Sequence, residues 1–376
     1  MKVGNFIKTN QYSYSSKDKW EYIYYLDTGN ITENCIDEIV KLNPLTDKIP
    51  SRAKRKVKKG NIIYSTVRPN QKHYGYIDKQ YDNLLVSTGF VVIDVDEDIA
   101  DGKYFYYWLT QGKNTNYLQT IAENTVATYP SIAPKDIENM SIELPPLDIQ
   151  QKIAKILSNY DDMIENNNKR IKILEELAQK IYKEWFVDFK YPGHETVTFK
   201  DTELGKLVMP KKGKNITKAT IKEGCVPVVA AGLEPAYYHN VANTVAPVIT
   251  VSASGANAGY VKLYYEDIWA SDCSYIDCQM TSYIYYFYSY LKYNQIKITN
   301  LQKGAAQPHV YPQDLATLKI MDIDESIIKQ FNLIVTPLFE EIKNIISRNK
   351  VLKQARDLLL PRLISGEIDV ESMEIA

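Results

Sequence analysis

Cysteine is scarce: Cys35, Cys225, Cys273 and Cys278 are the only four in 376 residues. That number cannot frame a chain of this length with disulfides, so a reducing cytoplasm is the expected compartment. Long apolar runs are missing. No eighteen consecutive apolar residues occur, so no transmembrane helix is expected, and Met1 to Asn10 lacks the apolar core of a signal peptide. Net charge is nearly absent, with 45 basic against 46 acidic residues. That balance argues against a uniformly basic surface. Arginine supplies only seven of the basic residues while tyrosine reaches 30. An AT-rich genome accounts for both totals.

Catalytic patterns are missing as well. The Gly-Lys pairs at Gly205 and Gly213 lack the earlier glycine of a phosphate-binding loop. No Gly-x-Gly-x-x-Gly occurs, and Asn43-Pro44 is followed by Leu45 where an amino-methyltransferase tetrad needs a second proline. Cys273 and Cys278 are not at zinc spacing, and His73, His194, His239 and His309 are scattered. No catalytic residue and no metal ligand is assigned, and no cofactor is expected on this chain.

What the chain does contain is a repeat. Displaced by 178 residues, the sequence matches itself without a gap at Pro130/Pro308, Pro134/Pro312, Asp136/Asp314, Ile142/Ile320, Ile156/Ile334, Asn166/Asn344, Arg170/Arg348 and Leu174/Leu352. Displaced by 184, it matches at Thr66-Val67/Thr250-Val251, Gly75-Tyr76/Gly259-Tyr260, Tyr81/Tyr265 and Ser87/Ser271. Two copies of one unit are implied, each a globular part followed by a long helix. The fold class expected is α+β.

In the globular parts, 61–67, 84–95, 226–231, 245–253 and 267–278 carry β-branched and aromatic residues bounded by Gly, Pro or Asn, and predict strands. The segments 104–110 and 281–293 fit helix or strand equally. After Pro145-Pro146, Asp148 and Gln151 have capping-box spacing. From there apolar residues step by three and four over 149–185, and again over 328–363. The seam comprises Ile153, Ile156, Ile164, Asn167, Ile171, Leu174 and Ile181, and then Phe331, Val335, Leu338, Ile342, Ile345, Asn349, Leu352 and Leu359. Five heptads of this alternation predict a coiled coil, with the two helices as partners.

Charge is sorted along the chain. From Lys48 to Ile77 there are nine basic residues and no acid; from Leu204 to Lys222 there are six and none. A local basic stretch beside a neutral body suits phosphate contact. The candidate DNA-binding residues are Arg52, Lys54, Arg55, Lys58, Lys59, Arg68, Asn70, Gln71 and Lys72 in the first copy. In the second they are Lys211, Lys212, Lys214, Lys218, Ser252, Ser254, Asn257 and Gln307. Asn, Gln, Arg and Ser can read base edges.

Three stretches resemble the specificity subunit of type I restriction–modification systems. They are Leu144-Pro145-Pro146-Leu147-Asp148-Ile149-Gln150-Gln151-Lys152-Ile153, then Gly304-Ala305-Ala306-Gln307-Pro308 through Asp314-Leu315, and Leu359-Leu360-Pro361-Arg362-Leu363-Ile364-Ser365-Gly366-Glu367-Ile368. The second helix departs from the pattern, with Ile323-Asp324-Glu325-Ser326 in place of the Pro-Pro opening, and Met1–Tyr25 shows no family opening. The resemblance implies two target-recognition domains, 1–144 and 191–324, and two spacer helices, 145–190 and 325–376 with the C-terminal segment. It implies a non-catalytic subunit binding an asymmetric, bipartite site on double-stranded DNA. Its partners would be two methyltransferase subunits carrying S-adenosylmethionine and restriction subunits using ATP and Mg²⁺. The competing readings are a stand-alone DNA-binding regulator and a coiled-coil scaffold without a DNA role; the missing motifs count against a stand-alone methyltransferase or nuclease.

Antiparallel pairing is expected, with Asn167 near its repeat equivalent Ile345 and the globular parts at opposite ends. About 37 residues at ~1.5 Å give a rod of roughly 55 Å, or about 16 base pairs at ~3.4 Å. The rod would then set the gap between half-sites. Matched one-heptad insertions in both helices should lengthen the preferred gap by about 3 base pairs, as read by methylome sequencing. An active double insertion that keeps the original spacing refutes the ruler.

Overall fold

Apolar residues at every third or fourth position favour a helix only if something covers the stripe they form. In the computed structural model, which describes residues 1–15, 17–125, 130–191, 200–304 and 308–373, two such stripes cover each other. Among the described residues five helices exceed five residues: α1 (Gly102–Leu109), α2 (Gly112–Thr125), α3 (Leu147–Phe186), α4 (Ile284–Tyr293) and α5 (Glu325–Ile364). The two ambiguous aromatic segments are therefore helical, as α1 and α4. Helix α3 begins at Leu147, so Asp148 sits inside its first turn and is not the cap. Gln150, fully buried, does the anchoring there: it accepts from the Asp101 amide (3.0 Å) and donates to the Pro145 carbonyl (2.9 Å).

The chain divides into two compact units, Met1–Ile164 with Lys350–Ala376, and Glu165–Asn349. Each unit combines one globular part with segments of both long helices.

In the first unit, an antiparallel sheet runs in the order Ile7–Thr9, Phe90–Val95, Ile62–Ser65, Tyr74–Tyr76. A second sheet runs Val40–Leu42, Ile23–Leu26, Leu84–Ser87, Ala53–Lys56, with its middle pair parallel. The predicted strand 84–95 is thus two strands, broken at Thr88-Gly89 and shared between sheets. Phe6, Phe105 and Trp108 anchor the core. Phe6 meets Phe105 edge-on at 5.3 Å, and Phe105 stacks on Trp108 at 5.7 Å. Ile153 and Leu157 of α3 and Leu363 of α5 complete this core.

The second unit repeats the plan. Its antiparallel sheet runs Lys211–Lys212, Cys273–Asp277, Val248–Ser252, Val261–Tyr264, the same order. Its other sheet runs Tyr237–His239, Val226–Val229, Trp269–Ala270, again antiparallel then parallel. This sheet has three strands, and no counterpart of Ala53–Lys56 pairs with it among the described residues. Gly213 lies where an added Cβ would fall 2.2 Å from the Ser271 carbonyl oxygen, so only glycine lets the chain pass there. The core gathers Tyr182, Trp185 and Phe186 from α3, Tyr286 from α4 and Phe331 from α5.

In each unit the α3 and α5 segments are antiparallel. In the first, Asp161 pairs with Arg356 while the earlier Lys152 reaches the carbonyls of Val370 and Glu371. In the second, Asn167 donates to Asn349 (2.7 Å), Arg170 pairs with Glu341 (2.9 Å) and Trp185 packs on Phe331. Asn167 therefore bonds Asn349, one helical turn beyond the Ile345 expected from aligning helix ends. Hydrogen bonding decides this: Ile345 is fully buried and apolar, whereas Asn349 takes the Asn167 amide and donates its own to Asn168 (2.9 Å). A bonded Asn pair in an apolar seam favours one register over its neighbours.

The Arg356 guanidinium, only 17% exposed, also binds Asp357 (2.7 Å), and Asp161 additionally accepts from the Tyr107 hydroxyl (2.5 Å). Burial alone would lower the Arg356 pKa, but Asp161 and Asp357 outweigh it and hold the group firmly charged. Replacing Arg356 by Met should cost about 2 kcal/mol, because the half-buried Asp161 loses its cation and keeps only the Tyr107 hydroxyl as partner. Adding Asp161→Leu and Tyr107→Phe should restore most of that loss in urea denaturation. A single R356M variant as stable as the parent contradicts the assignment.

Candidate nucleic-acid interface

The first basic stretch contains the last strand of the mixed sheet, and both its edges are paired. Residues 53–56 pair with Leu84–Ser87, through a register shift between Ala53 and Arg55, and on the other side with the segment 12–14: the Tyr14 amide donates to Lys54 O (2.7 Å) and the Lys56 amide to Tyr12 O (3.1 Å). Lys54, Lys58 and Lys59 are exposed, as is Arg52. Arg55 is different: it is half-buried, its Nε has no partner, and burial pushes its pKa down. Acids absent from the stretch itself arrive from elsewhere in the fold. Asp94 pairs with Lys58 at 3.0 Å, and Asp18 pairs with Lys56 at 2.5 Å beside the Trp20 ring.

The adjoining loop is tightly held. Arg68 and Lys72 both adopt left-handed backbone (φ +46° and +57°) around a 3-10 turn at Pro69–Gln71. Such conformations cost a non-glycine residue of the order of 1 kcal/mol or more and mark places where geometry is imposed. The Arg68 amide donates to Pro130 O (3.0 Å) and the Asn70 amide to Gln119 Oε1 (3.1 Å), which leaves the Arg68, Asn70 and Gln71 side chains on the exposed rim. Lys72 is tied to Glu33 at 2.6 Å. Burial would raise the Glu33 pKa, but Lys353 and Lys72 overcome it and hold it at about 2.

The second basic stretch occupies a different place. Lys211–Lys212 is an outer strand of the all-antiparallel sheet, the position that Ile7–Thr9 fills in the first unit. The two stretches are therefore not repeat equivalents, contrary to their matching appearance in sequence; lysine content says nothing of which sheet edge a segment joins. Lys211, Lys212, Lys214 and Lys218 are exposed. The Lys214 ammonium lies 6.0 Å from the Trp269 ring centre, while the Trp269 indole N–H donates to Lys214 O (2.8 Å).

Three residues expected to read bases are engaged inside the protein. Ser252 donates to Ala231 O (3.1 Å), Ser254 to Asp272, and Asn257 to Ala231 O (3.4 Å); both serines are buried. These bonds tie the loop around the Gly255–Asn257 turn to Ala231 and Asp272. Gln307 falls outside the described residues, as do Ala305, Ala306 and His194.

Exposed and half-buried aromatic residues also lie on the mixed sheets of both units. Tyr237 and Tyr238 are 43% and 56% exposed on the outer strand of the three-stranded sheet. In the first unit, the Lys41 ammonium sits 4.7 Å from the Tyr22 ring and 5.8 Å from that of Tyr24. The alternation Tyr22-x-Tyr24, entering the strand Ile23–Leu26, is the sequence signal for the first pair.

Cys273, His73 and His239 are built into the fold. Burial pushes the Cys273 thiol up to about 12, far from a nucleophile's range. His73 Nδ1 meets Ile31 O (2.6 Å), and His239 Nδ1 accepts from the Lys222 amide (3.1 Å). Among the described residues no group of three or more His, Cys, Asp or Glu could hold a metal ion, and no helix is long and apolar enough to cross a membrane.

Comparison with known proteins agrees with this geometry. Residues 2–176 match the family described as type I restriction modification DNA specificity domain. The chain is 34% identical to the HindI specificity subunit of Haemophilus influenzae over 44% of its length, a match spanning 36% of that subunit. It is 27% identical to the MjaIX specificity subunit of Methanocaldococcus jannaschii over 94% of its length and 85% of that protein. The fold is shared with the S subunit from M. genitalium, at a TM-score of 0.55 and 18% identity, covering 96% of this chain and 95% of that one. A duplicated two-sheet unit, two antiparallel helix segments per unit and these matches converge: residues 2–176 carry a type I restriction modification DNA specificity domain, and the chain over nearly its whole length is similar to a type I specificity subunit.

Proposed function

We propose that this chain is the sequence-specific DNA-recognition subunit of a type I restriction–modification complex. It is non-catalytic and works together with other subunits and DNA. The observation that carries the reading is the pair of units with one sheet plan and different surfaces. One exposes Arg52, Lys54, Lys58 and Lys59 and the Arg68–Lys72 rim; the other exposes Lys211, Lys212, Lys214 and the outer tyrosines. Two unlike readers on related frames suit an asymmetric, bipartite target. In this reading the exposed lysines bind phosphates and set register, while Arg68, Asn70 and Gln71 reach base edges. Two methyltransferase subunits would bring S-adenosylmethionine to adenine, and restriction subunits would bring ATP and Mg²⁺.

Replacing Lys54, Lys59, Lys211 and Lys212 together by alanine should weaken binding of the assembled methyltransferase to all duplexes. The slope of log K against log salt should fall by about 3 to 4, at ~0.9 per phosphate contact. An unchanged slope removes these lysines from the interface.

Exchanging residues 1–144 for those of another family member should alter one half-site of the methylated sequence and leave the other intact. Methylome sequencing reads the result directly. Changes in both half-sites would show that the units are not independent readers.

A further inference from the structure

Within the first unit, the N-terminus of α2 opens on a cavity of about 330 Å³, walled in part by Tyr74, Tyr106, Gln111, Lys113, Arg356 and Leu360. Its volume is in the range of small-molecule sites. Gln111 is 5% exposed, yet its Nε2 has no hydrogen-bond partner. An orphaned buried donor is costly unless something accepts from it. The matching glutamine of the second unit, Gln295 at the 184-residue displacement, is fully used: it donates to Gly259 O (2.8 Å) and accepts from the Val261 amide (2.9 Å).

The electrostatics point the same way. Helix α2 has no acid in its first turn. It carries Lys113 there instead, exposed and without an ion-pair partner among the described residues. A cation at this end opposes the helix dipole, and the first amides of the helix lack intrahelical acceptors. The carboxylates nearby are already engaged: Glu33 by Lys72 and Lys353, Asp357 and Asp161 by Arg356. Four cations thus face three carboxylates.

The second unit fills the corresponding helix positions with carbon. At the 178-residue displacement, Asp161 and Arg356 correspond to Phe339 and Ala178, both fully buried, and Tyr285 stacks on Phe339 at 4.5 Å.

We propose that this cavity binds a phosphate group, received by the α2 N-terminus, Gln111 Nε2 and the Lys113 ammonium, with the Tyr74 and Tyr106 rings beside it. The phosphate comes from a free mononucleotide or from the DNA backbone. The chemistry is the same for both: helix N-terminal amides and cations receiving a phosphoryl oxygen. The site does not depend on the DNA-recognition reading, since a free nucleotide can fill it without any target sequence.

The test uses the full chain, with inorganic phosphate and AMP followed by ³¹P NMR and thermal shift, and duplex DNA followed by salt titration of the assembled complex. Lys113→Glu and Gln111→Met are the variants. Q111M removes the orphaned donor, so it should leave the unliganded melting temperature unchanged or raised, which separates loss of binding from loss of folding. Saturable AMP or phosphate binding that both variants weaken tenfold or more establishes the site with a free ligand. No free-ligand binding, together with a salt slope lowered by about 1 in K113E, establishes it with backbone phosphate. Binding that neither variant alters overturns the proposal. So does the absence of free-ligand binding with an unchanged salt slope.

Discussion

Each 40-residue helix carries an apolar stripe too long for its own globular part to cover, and everything else follows from how that stripe is buried. In the first unit, Ile153, Leu157 and Leu363 close over the aromatic core of α1. In the second, Tyr182, Trp185 and Phe331 do the same for α4. Burial of a leucine or phenylalanine side chain contributes roughly 1.5–3 kcal/mol, so a few such contacts outweigh any preference of the loops. The recognition surfaces are left free to differ because they do not hold the frame together.

Polar groups then select among the ways the stripes could meet. Hydrophobic contact is tolerant of a slip by one helical turn, since another apolar residue takes the vacated place. Asn167 with Asn349, and Arg356 with Asp161, are not tolerant, because a slipped register leaves an amide or a charge buried alone. This explains why the sequence periodicity has polar interruptions at Asn167, Asn349 and Arg356. They read as defects in the seam and act as its index marks.

The same contrast sets what could be read from the sequence. Helical periodicity is local, so both helices were legible to within three residues at each end, and the fifteen seam residues lie on faces that are buried or half-buried. Strand existence was legible where β-branched residues clustered, as at Ile62–Ser65 and Val248–Ser252. Sheet membership was not, because it depends on partners distant in sequence: Ala53–Lys56 and Lys211–Lys212 look alike as lysine-rich segments and join different sheets. The serines at 252 and 254 misled for a related reason. A hydroxyl suited to a base edge is equally suited to a carbonyl or carboxylate of its own fold, and Ala231 and Asp272 are brought near only by the tertiary structure. The Tyr22, Tyr24 and Tyr237-Tyr238 positions were obscured by the abundance of tyrosine throughout the chain.

The division of the chain has a consequence for its biosynthesis. The second unit, Glu165–Asn349, is a single continuous segment and has all its residues once that stretch has left the ribosome. The first unit needs Lys350–Ala376 to complete its core, with Leu363 and Val370 among the buried residues. At about 5–20 residues per second, roughly 10–40 seconds of synthesis separate Ile164 from that segment. Throughout this interval Ile153, Leu157 and the α1 aromatics lack their last cover. The half made first is therefore the half that finishes folding last, and during that interval its apolar surface is open to chaperones and to neighbouring chains.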